Sequence, residues 1–405
     1  MNKDINNSEK LNFLKEKPEK LKSPFLHDCY VIRYSEIALK GRNRDYFEKL
    51  LIKRIKESLN YNNISFSKIK RIYGKVILYT NFDSSNVLKN ILGISSFSKA
   101  VSTKSDISLI KAKSIEIFSK INGIEKKTFK VSTSRFEKAF PFKSPEISKL
   151  VGEVIFERFK GITVELRNPE ITLTLEIGNT QTFYSIEKIK GPGGLPVGCS
   201  GKALVLFSGG IDSPVSAYLA MKRGCEVKLI HFYNEDLLKA KYPIKIIALH
   251  KILKKFDPRI KLELIPFLDV EREIIQKVPA KYRIIILRRM FLRYIDQFFN
   301  PKSCAITGDN LAQVASQTLD NLTIVSNATK RLILRPLICY DKDEIVSLSK
   351  QIGTYEESIK PYKDCCSLLV SNSPETHARM EEIEQIESNF NFEVIKKAKQ
   401  NAQKL

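Results

Sequence analysis

The sequence predicts a multidomain α/β protein, with a parallel sheet covered by helices in its C-terminal half and two smaller α/β units before it. Three observations predict this. From Ala203 onward, apolar runs of strand length alternate with helical patterns, the arrangement that buries a parallel sheet between helices. Residues 190–202, "KGPGGLPVGCSGK", concentrate Gly and Pro and cannot continue a helix or a central strand, so the main boundary falls there. Upstream, strand and helix patterns form two shorter groups, which divide near residue 86.

In the first group, "YVIRYSEIALKGRNRDYFEKLL" from Tyr30 reads as a strand, a Gly-Arg-Asn turn and a helix, and "KVILYT" at residues 75–80 as a second strand. The second group runs through a helix at "SSNVLKNIL", a strand at "FSKAVST", an amphipathic helix over residues 106–121, a strand at "TFKVST" and a helix at "PEISKLVGEVIFERFK". The C-terminal half then reads "ALVLF" as a strand, a helix after Asp212, and "EVKLIHF" as a strand. A helix follows over residues 236–255, then the strand "KLELIPF", a helix over 281–299 and the strand "SCAITG". The expected division is a polar extension at 1–26, units at 27–86 and 87–190, a linker at 191–202 and a last domain at 203–405.

The chain has 405 residues, 43% hydrophobic, enough for two or three cored domains. No apolar run reaches the roughly 18 residues of a membrane helix, and the N-terminus lacks a signal-peptide core, so the cytoplasm is the expected location. The formal charge of +23 points to an anionic partner, nucleic acid first. Residues 51–150 alone hold 20 Lys or Arg against 7 Asp or Glu, so the charge is concentrated before the boundary. Seven cysteines without framework spacing read as reduced thiols; with no C-x-x-C and four scattered histidines, neither a zinc site nor an iron–sulfur cluster is expected.

The stretch "ALVLFSGGIDSPVSAYLA", residues 203–220, carries the chemistry. A loop of small residues between a buried strand and a helix start aims backbone N–H groups and the positive helix end at one place, which suits an anion. The lysine of the familiar phosphate loop is absent, so this loop must act through its amides, the hydroxyls of Ser208 and Ser213, and Asp212. A carboxylate beside phosphates needs a cation between them, which makes Asp212 a candidate for positioning Mg²⁺ or pyrophosphate.

Ser-Gly-Gly-X-Asp-Ser resembles the signature of the PP-loop pyrophosphatases, which cleave ATP between its α and β phosphates. The order of "RYSEIALKGRNRDYFE", "RFEKAFPFKSPEISKLVGE", "GPGGLPVGCSGKALVLFSGGIDSPVSAYLAMKRG", "GDNLAQVASQTLDNL", "RPLICYDKDEI" and "IGTYEESIKPYKDCC" resembles one PP-loop family, the tRNA 4-thiouridine synthases or tRNA sulfurtransferases (ThiI). The resemblance implies a ferredoxin-like N-terminal domain, an RNA-binding THUMP domain and a Rossmann-like parallel-sheet PP-loop ATP pyrophosphatase domain. It implies that ATP adenylates O4 of a tRNA uridine, at position 8, and that persulfide sulfur then replaces the adenylated oxygen; some relatives also serve thiamine thiazole synthesis. Another PP-loop tRNA-modifying ligase, or a noncatalytic THUMP RNA-binding protein, is the alternative.

By the same resemblance, Leu206, Phe207, Ser208, Gly209, Gly210, Asp212, Ser213, His231, Phe232, Arg288, Gly308 and Gln317 form the ATP site. Asp212, Lys342 and Cys365 carry the chemistry, Cys365 holds the persulfide, and Cys366 stands ready to resolve it. Lys360 and Lys363 favour a Cys365 thiolate and Asp364 opposes it, leaving the net sign open. The implied partners are tRNA and a cysteine desulfurase or other sulfur donor, with a homodimer as an open possibility and no membrane. Ser35 and Ala312 stand where the family usually has glycine. Only about 40 residues follow Cys365, so the rhodanese domain of some members, with its own sulfur-bearing cysteine, is not expected here.

Overall fold

The structure is a computed structural model and describes residues 27–237 and 243–405; the polar extension expected at 1–26 lies outside these. Two compact units are present. One gathers the described residues up to Ile32, Ile64–Asn86 and Phe97–Ile189; the other gathers Arg33–Asn63, Val87–Ser96 and Lys190–Leu405.

The first unit is built on β1 (Cys29–Arg33), β2 (Lys68–Ile72), β3 (Lys75–Tyr79), β4 (Ser96–Lys104), β5 (Thr128–Arg135), β6 (Thr163–Val164), β7 (Ile171–Ile177) and β8 (Gln181–Ser185), in the sheet order β2-β3-β1-β4-β8-β7-β5-β6. Helices α3 (Ile107–Phe118) and α4 (Ser144–Arg158) bury Ile110, Ile117, Ile147, Val151 and Ile155 in a core with Leu173 and Leu175 of β7. Asp106 starts α3 by accepting the Leu109 N–H at 2.9 Å, the usual N-cap bond. The sequence reading omits β2, whose "KIKRI" keeps its charged side chains exposed at the sheet edge, and also β7 and β8.

The second unit begins with α1 (Arg44–Tyr61), which buries Leu51, Ile55 and Leu59 at helical spacing. The short α2 (Ser85–Leu88) and β9 (Ile189–Lys190), which pairs with β4 as the ninth strand of the first sheet, precede the large C-terminal sheet. That sheet contains β10 (Lys202–Leu206), β11 (Glu226–Tyr233), β12 (Lys261–Pro266), β13 (Cys304–Ile306), β14 (Ile333–Leu334) and β15 (Gln403–Lys404), ordered β14-β13-β10-β11-β12-β15. All pairings are parallel except β12 with β15, and Ala203 lies opposite both Val227 and Cys304.

Alternate β10 residues face opposite layers, as strand geometry requires. Ala203 and Val205 join one core with α5 (Asp212–Lys222), α6 (Ile244–Leu253) and α10 (Lys342–Ile352). Leu204 joins the other, with α7 (Leu268–Lys277), α8 (Arg283–Phe298), α9 (Leu319–Ser326), α12 (Met380–Ser388) and α13 (Glu393–Gln400). The sequence reading finds α5, α6 and α8 but not α7, α9, α10, the short α11 (Tyr355–Ser358), α12 or α13; part of the span read as 236–255 is outside the described residues, and α6 begins at Ile244. β13 and β14 lie on one side of β10, while β11 and β12, with the edge strand β15, lie on the other. Strand order therefore reverses at β10, and ligands of open α/β sheets bind in the crevice beyond such a reversal.

Candidate active site

A cavity of about 520 Å³ opens beyond the carboxyl ends of β10 and β13. Leu206, Phe207, Ser208, Asp212, Ser213, His231, Phe232, Arg288, Gly308, Gln317, Cys365 and Cys366 all line it. Gly209 and Gly210 belong to the same loop without lining the cavity, and Lys342 reaches it through Asp212.

The loop is held by its own serines. Ser208 N–H donates to Ser213 Oγ at 2.9 Å, Ser213 Oγ donates to Ser208 O at 3.0 Å, and Gly210 N–H donates to Ser208 Oγ at 3.3 Å. The two hydroxyls thus shape the turn, and the start of α5 is the part of it suited to an anion. Gly308 lets the end of β13 approach this start: a Cβ there would sit 3.1 Å from Ser213 N and 3.2 Å from Asp212 Cβ. Asp212, the first residue of α5, accepts from Lys342 Nζ at 2.9 Å on one oxygen and from Gln313 Nε2 at 3.3 Å on the other. Lys342 is placed by α10, whose start carries a capping box between Asp341 and Glu344.

A second polar cluster faces this loop. Arg288 donates to Ser316 O at 2.8 Å and pairs with the buried Asp309. Asp309 also accepts from Thr307 Oγ1 at 2.7 Å and from Arg335 Nε at 3.1 Å. One carboxylate therefore fixes two cavity-lining guanidinium groups, the residue type suited to planar anion recognition. Gln317 Nε2 lies 3.5 Å from Asp309 Oδ1, while its buried Oε1 has no partner among the described residues and is left to accept from a ligand. Sequence reasoning finds Arg288 and Gln317 but misses Asp309 and Arg335. Their signals are the polar residues directly after β13, in "GDN", and after β14, in "RP".

His231 is fully enclosed, and burial lowers its pKa to about 4, so the imidazole is neutral. Nδ1 lies 2.7 Å from the Phe207 carbonyl and must carry the proton; Nε2 therefore accepts from the Tyr362 hydroxyl at 2.8 Å. Both ring nitrogens are engaged within the protein, so a nucleotide would meet this residue through its carbon edge. Phe232 is buried and stacks on Phe291, ring centroids 4.2 Å apart.

Cys365 lines the cavity at only 3% exposure. Asp364 caps the turn that begins there, accepting Cys366 N–H and Ser367 Oγ, each at 3.1 Å. The neighbouring Cys366 thiol, burial and the charges of Cys366, Asp364 and Glu271 push the Cys365 thiol well above its ordinary pKa. The sign left open by the sequence is thus upward, and Lys360 pairs with Glu357 at 2.5 Å rather than with the thiol. Both cysteines are free thiols.

Among the described residues no cluster of three or more His, Cys, Asp or Glu could hold a metal ion, and no helix is long and apolar enough to cross a membrane. Asp212 as a lone carboxylate nevertheless fits Mg²⁺, which commonly takes one or two carboxylates together with substrate phosphates and water.

Fold and site together define an ATP-using α/β enzyme with a cysteine lining the cavity beyond its Ser-Gly-Gly loop. Residues 198–392 match the family described as Thiamine biosynthesis protein (ThiI), residues 29–98 the ThiI ferredoxin-like domain, and residues 104–187 the THUMP domain. A relative from Thermoanaerobacter sp. (strain X514), named "Probable tRNA sulfurtransferase", is 38% identical over 373 residues, covering 91% of this chain and 97% of its own. One of the same name from Geobacillus kaustophilus is 37% identical over 374 residues, covering 90% and 92%. Among solved structures, a 4-thiouridine synthetase–RNA complex with bound ATP superposes with a TM-score of 0.84 at 32% identity, covering 94% of this chain and 99% of that one. PH1313 from Pyrococcus horikoshii gives 0.64 at 26% identity, covering 80% and 99%. The chain belongs to the tRNA sulfurtransferase (ThiI) family, an ATP-dependent enzyme family.

Proposed function

We propose that this protein converts uridine 8 of tRNA to 4-thiouridine in two steps within the one cavity. Uridine O4 attacks the α phosphorus of ATP, pyrophosphate leaves, and the base carries AMP on O4. The terminal sulfur of a Cys365 persulfide then attacks C4; a C–S bond forms, the C–O bond breaks and AMP leaves. The Cys366 thiolate then attacks Cys365 Sγ, so that a Cys365–Cys366 disulfide forms as the remaining S–S bond breaks and the thiolated base leaves, and an external thiol reduces that disulfide before the next turnover. The single observation that carries this reading is that Cys365 and the Ser208–Ser213 loop line the same cavity.

Residue roles follow from chemistry. The loop amides and α5 start receive phosphate, Arg288 and Arg335 offset negative charge opposite, and Lys342 balances Asp212. Mg²⁺ bound with ATP would neutralise phosphate charge, with Asp212 as its protein ligand. A persulfide forms on Cys365 only by transfer of sulfur already at the persulfide level, so loading needs a donor such as a cysteine desulfurase persulfide, whose own thiol is the leaving group. The basic residues concentrated before residue 150 suit the phosphate backbone of tRNA. The test is reconstitution with unmodified tRNA, ATP, a cysteine desulfurase and cysteine: pyrophosphate, AMP and 4-thiouridine should all depend on tRNA, and thiolation without ATP would sink the reading.

A further inference from the structure

Tyr362 joins the segment that carries Cys365 to the nucleotide loop in two ways. Its hydroxyl donates to His231 Nε2 at 2.8 Å, and His231 is in turn held by the Phe207 carbonyl at the end of β10. Its ring lies on the bare α-carbon of Gly209, where a Cβ would fall 2.7 Å from Tyr362 Cδ1. The same segment is tied from α6, where Lys245 Nζ donates to the carbonyls of Ser358 at 2.7 Å and Lys360 at 2.5 Å. Three residues after Tyr362, the chain turns at Cys365 into the cavity.

We propose that Tyr362 is a positioning residue that latches the sulfur-carrying segment to the nucleotide loop, so that Cys365 is held at the base that the loop has just activated. The proposal rests on Cys365 being the sulfur carrier. The two attachments divide the labour: the ring supports the loop at Gly209, and the hydroxyl fixes the segment through His231. Sulfur transfer gains from holding nucleophile and acceptor in reacting geometry, whereas adenylation does not use the sulfur-carrying segment. Glycine is required at 209 because any side chain would displace the ring.

The experiment compares Tyr362→Phe, Tyr362→Ala, Gly209→Ala and Cys365→Ser in the full chain, with unmodified tRNA, ATP and a cysteine desulfurase, measuring pyrophosphate and 4-thiouridine in the same reactions. Tyr362→Phe keeps the ring, so pyrophosphate release should stay within about twofold. 4-Thiouridine formed per pyrophosphate should fall roughly threefold to tenfold, the factor one neutral hydrogen bond is worth. Tyr362→Ala and Gly209→Ala should lower both yields, and their combination should be no worse than Tyr362→Ala alone, because the clash is gone. An unchanged ratio in Tyr362→Phe, with Cys365→Ser inactive in thiolation, overturns the latch and spares the sulfur assignment. Wild-type thiolation by Cys365→Ser overturns both.

Discussion

Lys342 Nζ lies 2.9 Å from Asp212 Oδ1, a pairing of the first residues of α10 and α5 across 130 positions of sequence. Asp212→Ala should lower tRNA-dependent pyrophosphate release at least about a hundredfold, the scale on which preorganised charge acts in transition states. Filter binding of tRNA should stay within about twofold, because the phosphate contacts of tRNA do not depend on this carboxylate. Lys342→Ala leaves the Asp212 charge unbalanced beside a polyanion and should raise the KM for ATP. The double variant should lose less than the sum of the two, as for any contacting charge pair.

Cys365→Ser should consume ATP with tRNA and make no 4-thiouridine, whereas Cys366→Ser should retain part of the thiolation, more so with added reductant. Nucleoside analysis of the tRNA decides. Thiolation by Cys365→Ser at the wild-type rate would move the sulfur carrier to Cys366 or off the chain.

Glu271 on α7 is buried and accepts from Asn234, while its Oε1 has no partner among the described residues. Burial lifts its carboxyl to about 7, so the fold prefers the neutral acid. A folded value above the unfolded one means stability present below pH 4.5 and lost as pH rises through about 7. Glu271→Gln should therefore gain on the wild type between about pH 5 and pH 8, by on the order of 2 kcal/mol in urea unfolding. A difference independent of pH would show that Glu271 is charged in the fold.

Ala312 sits at φ +61°, a left-handed conformation that costs an alanine what it does not cost a glycine. Ala312→Gly should stabilise the protein by about 1 kcal/mol, read from thermal midpoints. Ser35, at φ −111°, carries no such strain, and Ser35→Gly should give no comparable gain.

Binding of tRNA to the full chain should weaken at least about tenfold between roughly 50 and 200 mM salt, through counterion release. A flat response would show that the excess of lysine has no part in binding.

How much was legible depended on whether the signal was local. The Ser208–Ser213 loop combines a buried strand, a Gly-Gly turn and a helix start within about ten residues, and each piece agrees with the next. The β7–β8 hairpin is equally local, with alternating "ITLTLEI" and Gly178 at its turn, and adds two strands to those read from the sequence. The edge strand β2 reads poorly because its charged side chains obscure the alternation. Asp309 with Arg288 and Arg335, or Tyr362 with His231, are partners brought together only by the sheet, and an isolated Tyr in a loop announces nothing.

The grouping of α1 with the C-terminal half also sets an order of events during synthesis. Arg54 Nε donates to Val197 O at 2.8 Å, Glu57 lies 3.4 Å from Arg259 Nε, and Glu36 accepts from Arg223 at 2.9 Å. A ribosome making about 5–20 residues per second leaves α1 without these partners for on the order of ten seconds. The early part of the chain therefore cannot finish folding as it emerges, and a fragment ending at residue 190 would carry a helix severed from its seat.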